Sequence, residues 1–436
     1  MTNTLRPIIL FLGQISKASV QEVRDLGKMD GKDYLVVVLR DKKEPEAKPK
    51  LKRDSEDFEI VCNMNRPASI ASALSPYNEQ IVAVISRAES RIHMLRKVIP
   101  HVPYIPLPSE SSLLWATDKV LMRQQFAAHD TSITPRFAII SNTEKETIEK
   151  VQKKVKFPLV IKPAELASSL LVSICYHEEE FEKTVKMVFR KIHKVYKENG
   201  RTEKPKVMVE QFMEGEMYSV DGYVDAKGRI MWCPFVHIKT GKQIGFDDFF
   251  GYQQLTPTAM NASTQARALE VAEKATHALG MRNTTVHVEL MRTEEGWKVI
   301  EVGARIGGFR NVLYNLTYGI EHSLNDVLIR MGRKATVPKK QKGFAAAFKF
   351  FAKKEGTIEK ITGLKKMQKL KSHQSTAQNL FPGDKCKFAK NGGKSVCNII
   401  FFNKNRSDLL ADIRRAEKML VIDVKKGSNT TTKKAQ

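Results

Sequence analysis

The sequence has few cysteines, and their positions would neither cross-link the chain nor bind zinc. The five of them are scattered over 436 residues, and none belongs to a CxxC pair. This dispersed, odd-numbered set excludes a disulfide framework and a zinc cluster, and it favours a reducing compartment. The five are Cys62, Cys175, Cys233, Cys386 and Cys397.

Long apolar segments are also missing. No apolar run approaches the roughly 18 residues that a membrane-spanning helix needs. The early run PIILFLG (7–13) has too short an apolar core for a signal peptide, and no small-residue cleavage site follows it. We therefore predict a cytoplasmic protein without a membrane partner.

Acidic residues are outnumbered, since 73 Lys and Arg stand against 48 Asp and Glu and give a net charge of +25. Such a surface favours anionic partners such as nucleotides or nucleic acid, and the alternative is a lysine-rich proteome. The lysine runs VPKKQK (337–342) and KKMQKLK (365–371) lack interleaved aromatic residues. A base-stacking surface would need them, so nucleic acid is the less favoured partner.

The first hundred residues alternate apolar runs with a helix-like stretch. The runs RPIILFLG (6–13), YLVVVLR (34–40) and IVAVISR (81–87) are typical of an α/β sheet. No GxGxxG follows the first run, only Gly13, so nothing in this Rossmann-like unit indicates a dinucleotide. The charged segment 41–55 is predicted to be a solvated loop.

The middle of the chain alternates helices and strands. Asp118 or Thr117 is expected to cap a helix, FPLVIKP (157–163) to form a buried strand, and 206–238 to form three strands. A loop is predicted at 239–258, then a helix at 262–279 that Gly280 ends. A further helix has an apolar face made by Phe181, Val185, Val188, Ile192 and Tyr196.

Two glutamates occur inside apolar runs that read as a hairpin, HVELMRTEEG (287–296) and GWKVIEVGARIGGFRN (296–311). If Arg292 faces Lys298, the same register places Glu289 opposite Glu301 on one face. Two carboxylates that close are destabilising unless a cation lies between them, and Mg²⁺ prefers such oxygen ligands. The alternative is that both are edge-strand charges that limit aggregation. A slip of one residue would separate them.

Arginine and two glycines follow the second glutamate. Arg305 has the planar fork that suits phosphate or carboxylate oxygens. Gly307 and Gly308 allow a turn that could approach a substrate closely, or they form a plain turn. Lys119 lies in the first turn of its predicted helix, where a bound anion would explain a cation; the alternative is an ordinary exposed lysine.

The order of Lys119, Lys162, VEQF (209–212), Glu289 and Glu301 resembles the ATP-grasp ligases over roughly residues 105–332. The resemblance implies an ADP-forming enzyme that joins a small carboxylate to an amine through an acylphosphate, with ATP and Mg²⁺ or Mn²⁺. Family members are often homodimers. The implied α/β and α+β multidomain fold has a Rossmann-like domain (1–105), ATP-grasp subdomains A (106–204) and B (205–333, with the metal site), a small α+β C-terminal domain (334–424) and a disordered basic tail (425–436).

Site residues carry over from the resemblance by position. Lys119 and Lys162 correspond to the pair that contacts ATP phosphates, and Ser168 and Ser169 stand in ELASS (165–169), where a glycine-rich lid is usual. Arg305 would stabilise the transferring phosphoryl group or the tetrahedral intermediate. The remaining assignments are Glu210, Gln211 and Phe212 to adenine, Glu216 to ribose, and Glu289 and Glu301 to Mg²⁺.

The sequence departs from the family pattern at three places. The lid has no glycine, Met217 takes the usual place of the ribose glutamate, and Gly303 replaces the asparagine of ExNxR. The stretches EVGARIGG and GEMYSVDGYV are most similar to the branch of L-amino acid (dipeptide) ligases and carnosine synthase.

Substrate recognition is open at this point. His237 could contact the substrate carboxylate or take the proton of the amine, or it is an ordinary strand histidine. His287 is interpreted as structural. The loop 239–258, with Asp247, Asp248 and Tyr252, is the expected place for selectivity.

Three other functions are consistent with the sequence. One is a carboxylase that activates bicarbonate, although no Met-Lys-Met biotin site is present. Another is a purine-pathway ligase. The third is a non-catalytic basic shell that binds nucleotide or nucleic acid.

Overall fold

The apolar runs of the first hundred residues form a parallel sheet. The protein is described by a computed structural model that covers residues 5–13, 15–44, 56–164, 171–198, 204–246 and 248–425. Strands pair in the order β3-β2-β1-β4, with apolar clusters on both faces of β1, as expected of a buried parallel sheet. The elements are β1 (Ile8–Leu12), α1 (Lys17–Asp30), β2 (Leu35–Asp41), β3 (Phe58–Cys62), α2 (Pro67–Leu74), β4 (Ile81–Ile85) and α3 (Ile92–Val98).

Two helices lead from this sheet to a second, four-stranded antiparallel sheet of order β5-β8-β6-β7. Asp118 caps the second helix, because its carboxylate accepts from the backbone N–H of Val120 at 2.9 Å and of Leu121 at 3.1 Å. The predicted cap is thereby confirmed. The elements are α4 (Glu110–Thr117), α5 (Lys119–His129), β5 (Phe137–Ile140), α6 (Lys145–Lys154), β6 (Leu159–Pro163), β7 (Ser173–Cys175), α7 (Glu178–Glu198) and β8 (Val207–Gln211).

The five predicted apolar positions of α7 are all buried, so its amphipathic face is confirmed. They pack against β5, β6 and β8 in one cluster. The helix therefore covers one face of the second sheet and leaves the other face open to the rest of the chain.

A large sheet carries the rest of the chain, with the order β14-β13-β9-β11-β12-β15-β19-β17 and with β10 paired to β9. A separate sheet has the order β18-β16-β20. The strands are β9 (Glu216–Val224), β10 (Ile230–Trp232), β11 (Val236–Thr240), β12 (Gly251–Thr256), β13 (Thr284–Thr293), β14 (Gly296–Gly303), β15 (Phe344–Phe350), β16 (Gly356–Thr362), β17 (His373–Gln378), β18 (Lys385–Cys386), β19 (Cys397–Asn403) and β20 (Val421–Lys425). The helices are α8 (Ala262–Ala278), α9 (Arg310–Tyr318), α10 (His322–Arg330), α11 (Leu364–Met367) and α12 (Arg406–Met419).

The large sheet has one apolar and one partly polar face. Val288 and Leu290 of β13 pack in one cluster with the alanines of α8. Their neighbours His287 and Glu289 point to the opposite face, because side chains alternate along a strand. That face carries the candidate functional site.

Two expectations about chain organisation need comment. The predicted loop 239–258 was too long, because β11 continues to Thr240 and β12 begins at Gly251. Strands β15, β19 and β17 extend the sheet that holds β9 to β14, so the predicted boundary at 333/334 falls within one continuous sheet. The mixed α/β and α+β architecture is as expected from the sequence.

Some expectations concern segments for which the structure gives no description. Most of the charged stretch 41–55 and of the basic tail lies outside the described residues. No helix in the described ranges is both long and apolar enough to span a bilayer. All five cysteines are buried and carry free thiols.

Candidate active site

Glu289 and Glu301 face each other across the β13–β14 hairpin. Their pairing is continued by Ser219 of β9, so both carboxylates lie on the partly polar face of the large sheet. The facing arrangement expected from the sequence is therefore present. The side chains remain about a quarter exposed, open to a ligand in the cleft.

The register that predicted this pairing was wrong at the hairpin tip. Arg292 pairs with Trp297 and not with Lys298, and the register shifts between the tip and Glu289. Ile300 is the extra residue and forms a β-bulge. The bulge returns Glu301 to the position opposite Glu289, which a hairpin with the tip register throughout would not do.

A buried aspartate orients the strand that bears Glu289. Asp221 of β9 accepts hydrogen bonds from His287 Nδ1 at 2.7 Å, from His322 Nε2 at 2.8 Å and from the Gly307 backbone N–H at 2.7 Å. The other ring nitrogen of His287 lies 3.3 Å from Glu289 Oε1. Asp221 therefore ties the metal-side strand to the glycine turn, and it is a positioning residue.

The charges in this cluster shift its proton equilibria. Burial lowers the pKa of His287, but the charge of Asp221 and the hydrogen bond to it outweigh burial and leave the pKa raised. Burial raises the pKa of Glu289, but the hydrogen bond and charge of His287, with Arg305 and Arg310, leave it lowered. The carboxylate form of Glu289 is thus favoured.

Lys119 and Lys162 approach this face from two different elements. Lys119 begins α5, and its Nζ lies 3.4 Å from Glu301 Oε2. Lys162 lies on β6 of the second sheet, is almost fully buried and forms an ion pair with Glu210. Burial, together with the charges of Arg123 and Lys119, holds the pKa of Lys162 well below its ordinary value.

Arg123 joins the second sheet to the hairpin bulge. Its Nε donates to Glu210 Oε2 at 2.7 Å, and a terminal nitrogen donates to the Ile300 carbonyl at 2.7 Å. Burial lowers the pKa of Arg123 to about 10, although the charge of Glu301 acts in the opposite direction. Glu210, expected at the adenine, thus lies between Arg123 and Lys162, with both oxygens used in ion pairs.

Arg305 depends on a residue from the first sheet. Its Nε donates to Glu89 Oε2 at 2.8 Å, and Glu89 follows β4. Burial lowers the pKa of Arg305, but the charges of Glu89, Glu301 and Glu289 leave it raised. A Cβ at Gly303 would lie 3.4 Å from the Glu89 oxygen, so the missing asparagine leaves room for this carboxylate.

The two glycines differ in their surroundings. A Cβ at Gly307 would overlap His287 Nδ1 and lie 2.7 Å from Arg310 Cγ, whereas a Cβ at Gly308 meets nothing within 4 Å. Phe309 follows with φ of 61°, in the left-handed region that aromatic residues rarely adopt. The turn is therefore tight at Gly307 and open at Gly308.

The hinge residues lie at the end of β8. The backbone N–H of Gln211 donates to Arg136 and that of Phe212 to Pro158, both at 2.9 Å. These two N–H groups are therefore occupied by the sheet. The ammonium of Lys242 lies 5.0 Å from the Phe212 ring and 5.2 Å from the Tyr176 ring, which places the short 241–250 loop against the hinge.

The expected selectivity residues of that loop point elsewhere. Asp248 accepts from the Lys390 backbone N–H at 2.9 Å, and the Tyr252 hydroxyl donates to Glu417 at 3.2 Å. Both contacts tie the segment to the C-terminal part of the chain. Asp247 lies outside the described residues, as do Ser168 and Ser169.

His237 and Glu216 lie on the other face of the large sheet. His237 pairs with Tyr218, which pairs with Leu290, so the row is displaced by one residue from Glu289. The His237 ring lies 4.9 Å from the Tyr218 ring, and its Nε2 has no hydrogen-bond partner in the part of the chain that the structure describes. Glu216 pairs with Arg292 on the same row pattern. The geometry thus separates both residues from the facing carboxylates.

The donor set fits a hard cation that a substrate helps to hold. Within the described ranges, no three His, Cys, Asp or Glu side chains form a ready-made metal site. Glu289 and Glu301 supply two facing carboxylates, and Mg²⁺ is usually bound by one or two carboxylates with substrate phosphates. The residues present therefore fit Mg²⁺.

Sequence reasoning missed five residues of this site, namely Glu89, Arg123, Asp221, Arg310 and Lys349. Asp221 stands in the stretch GEMYSVDGYV, where a charged residue inside an apolar strand was a usable signal. The Arg310 guanidinium is buried and donates to Gln254 Oε1 at 2.5 Å and to Ser219 Oγ at 2.6 Å. Its position after the glycines was the only local sign.

Comparison with known proteins agrees with this geometry. Residues 155–312 match the model of the ATP-grasp domain. Alanine–anticapsin ligase of Bacillus subtilis is 29% identical over 220 residues, which are 46% of this chain and 45% of that protein. A Sinorhizobium fredii protein, y4rH, is 26% identical over 289 residues, which are 65% of this chain and 56% of that protein. The chain thus spans about half the length of these relatives.

Among solved structures, the L-amino acid ligase from Bacillus licheniformis superposes with a TM-score of 0.75 and 17% identity. The superposition covers 97% of this chain and 100% of that one. At this identity the likeness concerns the fold. ATP-grasp ligases use ATP with Mg²⁺, which agrees at the family level with the facing carboxylates and the two lysines. From its matched domain, its fold and the geometry of its site, the chain belongs to the ATP-grasp superfamily.

Proposed function

We propose that the protein is an ADP-forming carboxylate–amine ligase that joins an amino acid or a similar carboxylate to an amine. The observation that carries this proposal is the pairing of Glu289 with Glu301, with Lys119 Nζ 3.4 Å from Glu301. Two carboxylates and a cation around one cleft suit a metal–nucleotide phosphate. The names of two similar proteins, an alanine–anticapsin ligase and an L-amino acid ligase, support amino acids as substrates.

The residues divide the work by position. Glu289 and Glu301 would hold Mg²⁺, which supplies charge neutralisation at the β- and γ-phosphate oxygens when bound. Lys119 and Lys162 bind phosphate oxygens from two different elements. Arg305, held by Glu89, faces the same carboxylates and stabilises negative charge on the transferring phosphoryl group.

The reaction runs in two balanced steps. An oxygen of the donor carboxylate attacks the γ-phosphorus of ATP, the bond to the β-phosphate oxygen breaks, and acylphosphate and ADP result. The amine nitrogen then attacks the acyl carbon, the bond to phosphate breaks, and an amide, inorganic phosphate and one proton are released. No protein nucleophile is needed, and the site residues orient the reactants and offset charge.

The test is nucleotide release by the purified protein with ATP, Mg²⁺ and pooled L-amino acids, with ADP resolved from AMP. Glu301→Ala should lower amino-acid-dependent ADP release by on the order of a hundredfold or more, because a cation ligand is lost. Glu294→Ala, at the exposed hairpin tip, is the matched control and should retain activity.

Each other outcome points to a different function. AMP in place of ADP would mean adenylation and would exclude the acylphosphate route. ADP release that depends on bicarbonate and not on amino acids would favour a carboxylase. If no pool supports turnover while ATP still binds, the protein would be a binding shell, and mass spectrometry of the products would show no amide.

A further inference from the structure

Lys349 is a cation on the active-site face that comes from the C-terminal part of the chain. It lies on β15 between Phe348 and Phe350, whose rings pack into the C-terminal apolar cluster. Lys349 points to the opposite face, and its Nζ lies 5.6 Å from the Phe309 ring. Phe309 is the strained residue directly after the glycine turn. Lys349 therefore borders the site from the far side of that turn.

The neighbouring cations of this face have partners. Arg305 bonds to Glu89, and Lys119 pairs with Glu301. Arg310 donates to Gln254 and Ser219 and lies 3.8 Å from Asp221. Lys349 differs, because it has neither a hydrogen bond nor an ion pair with any residue that the structure describes.

Burial without an acidic partner is unfavourable for an ammonium group. Burial lowers the pKa of Lys349, and Arg310 and Arg305 lower it further, while the charge of Glu289 opposes them. The effect of Glu289 shows that the ammonium and the cation site share one electrostatic environment. A ligand with a negative charge would remove the imbalance.

The position of Lys349 separates it from the donor carboxylate. The donor must react at the phosphate beside Glu289, Glu301 and Arg305. Strands β9, β11 and β12 lie between β13 and β15, and the Phe309 ring lies against Lys349. A negative group at Lys349 is therefore a second one, carried by the other substrate.

We propose that Lys349 binds the carboxylate of the amine substrate, so that this substrate is an amino acid and not a simple amine. The inference rests on the proposed ligase function and specifies its second substrate. Phe309 holds the aliphatic part of the lysine side chain and limits how far the carboxylate can lie from the reacting nitrogen.

The experiment compares an amino acid with its carboxamide as the amine substrate, in the full-length protein with a fixed donor. For Lys349→Met we expect the KM for the amino acid to rise about tenfold to a hundredfold, as for loss of a charged hydrogen bond. The KM for the carboxamide should not change, and kcat should stay within about threefold. Lys349→Arg should keep most of the preference for the acid. Lys353→Met, an exposed lysine just after β15, is the matched control.

Two results would overturn the inference alone. One is an unchanged preference for the acid in Lys349→Met, and the other is an equal rise of KM for the acid and the carboxamide. A rise confined to the donor KM would also contradict it, because the second anion would then belong to the donor. If the wild-type protein forms no ADP with any pair, the ligase proposal fails and this inference fails with it. Thermal unfolding of each variant separates loss of binding from loss of folding.

Discussion

Arg305 and Glu89 come from different sheets and bond at 2.8 Å, from Nε to Oε2. The charge that is expected to meet the transferring phosphoryl group is thus held by the first sheet, although the arginine follows a strand of the large sheet. This makes the N-terminal part of the chain a contributor to the site and not only a neighbour.

Glu89→Gln should reduce kcat by roughly tenfold, because the guanidinium loses a charged partner that fixes its orientation. The KM for ATP should change little, since the lysines that face the phosphates are untouched. Steady-state kinetics checks the prediction. Glu110→Gln removes an exposed ion pair with Arg96 outside the site and should behave as wild type. A rise in the KM for ATP without a fall in kcat would show that Glu89 does not position Arg305.

Gly307→Ala should lower both activity and stability, because the added methyl group would overlap His287 and crowd Arg310. We expect a loss of about 1–3 kcal/mol in the free energy of unfolding, as for overpacking. Gly308→Ala is the control one residue away, where a Cβ meets open space. Denaturant unfolding and ADP release measure both effects. Equal behaviour of the two variants would contradict the close approach at Gly307.

Nucleotide binding should be accompanied by proton uptake at Lys162. Its pKa lies well below the ordinary value in the ligand-free protein, so part of it is neutral at mildly alkaline pH. Phosphate charges favour the ammonium form and raise the pKa. A proton is therefore taken up, and the affinity should fall as the pH rises through the lowered pKa.

Calorimetry of a non-hydrolysable ATP analogue in buffers of different ionisation heat measures this uptake. Lys162→Met should abolish it, and Lys186→Met, an exposed lysine on α7, should not. Proton release, or the same uptake in Lys162→Met, would place the titrating group elsewhere.

Arg123→Met should destabilise the protein by about 3 kcal/mol, since it leaves Glu210 and the Ile300 carbonyl without a buried donor. Lys162 still pairs with Glu210, which keeps the cost at the lower end of the range for broken buried pairs. Arg190→Met, exposed on α7, should change stability by less than about 0.5 kcal/mol. Urea unfolding measures both, and a loss under 1 kcal/mol for Arg123→Met would be inconsistent with a buried role.

The sequence predicts the paired glutamates because strand periodicity is local. A charge inside an apolar run is visible in a short window, and Glu289 and Glu301 are only twelve positions apart. The same local reasoning identified the Asp118 cap and the apolar face of α7. Each depends on spacing along one element and needs no knowledge of the rest of the fold.

The parts that sequence reasoning did not find depend on contacts between distant elements. Glu89 and Arg305 are more than two hundred positions apart, and Lys349 reaches the site only because β15 joins the large sheet. The side of a strand is equally hard to assign without its neighbours. Met217 and Glu216 are adjacent, yet the register places Met217 on the face of Glu289 and Glu216 on the opposite face.

The bulge at Ile300 separates the tip of the hairpin from its base. Since Arg123 fixes the Ile300 carbonyl, the strand is clamped just before Glu301, on the helix that also begins with Lys119. Residues beyond that clamp can be inserted or deleted without changing the distance between the two carboxylates. The hairpin tip is therefore the part of this site where related chains can vary in length, and the base is the part where they cannot.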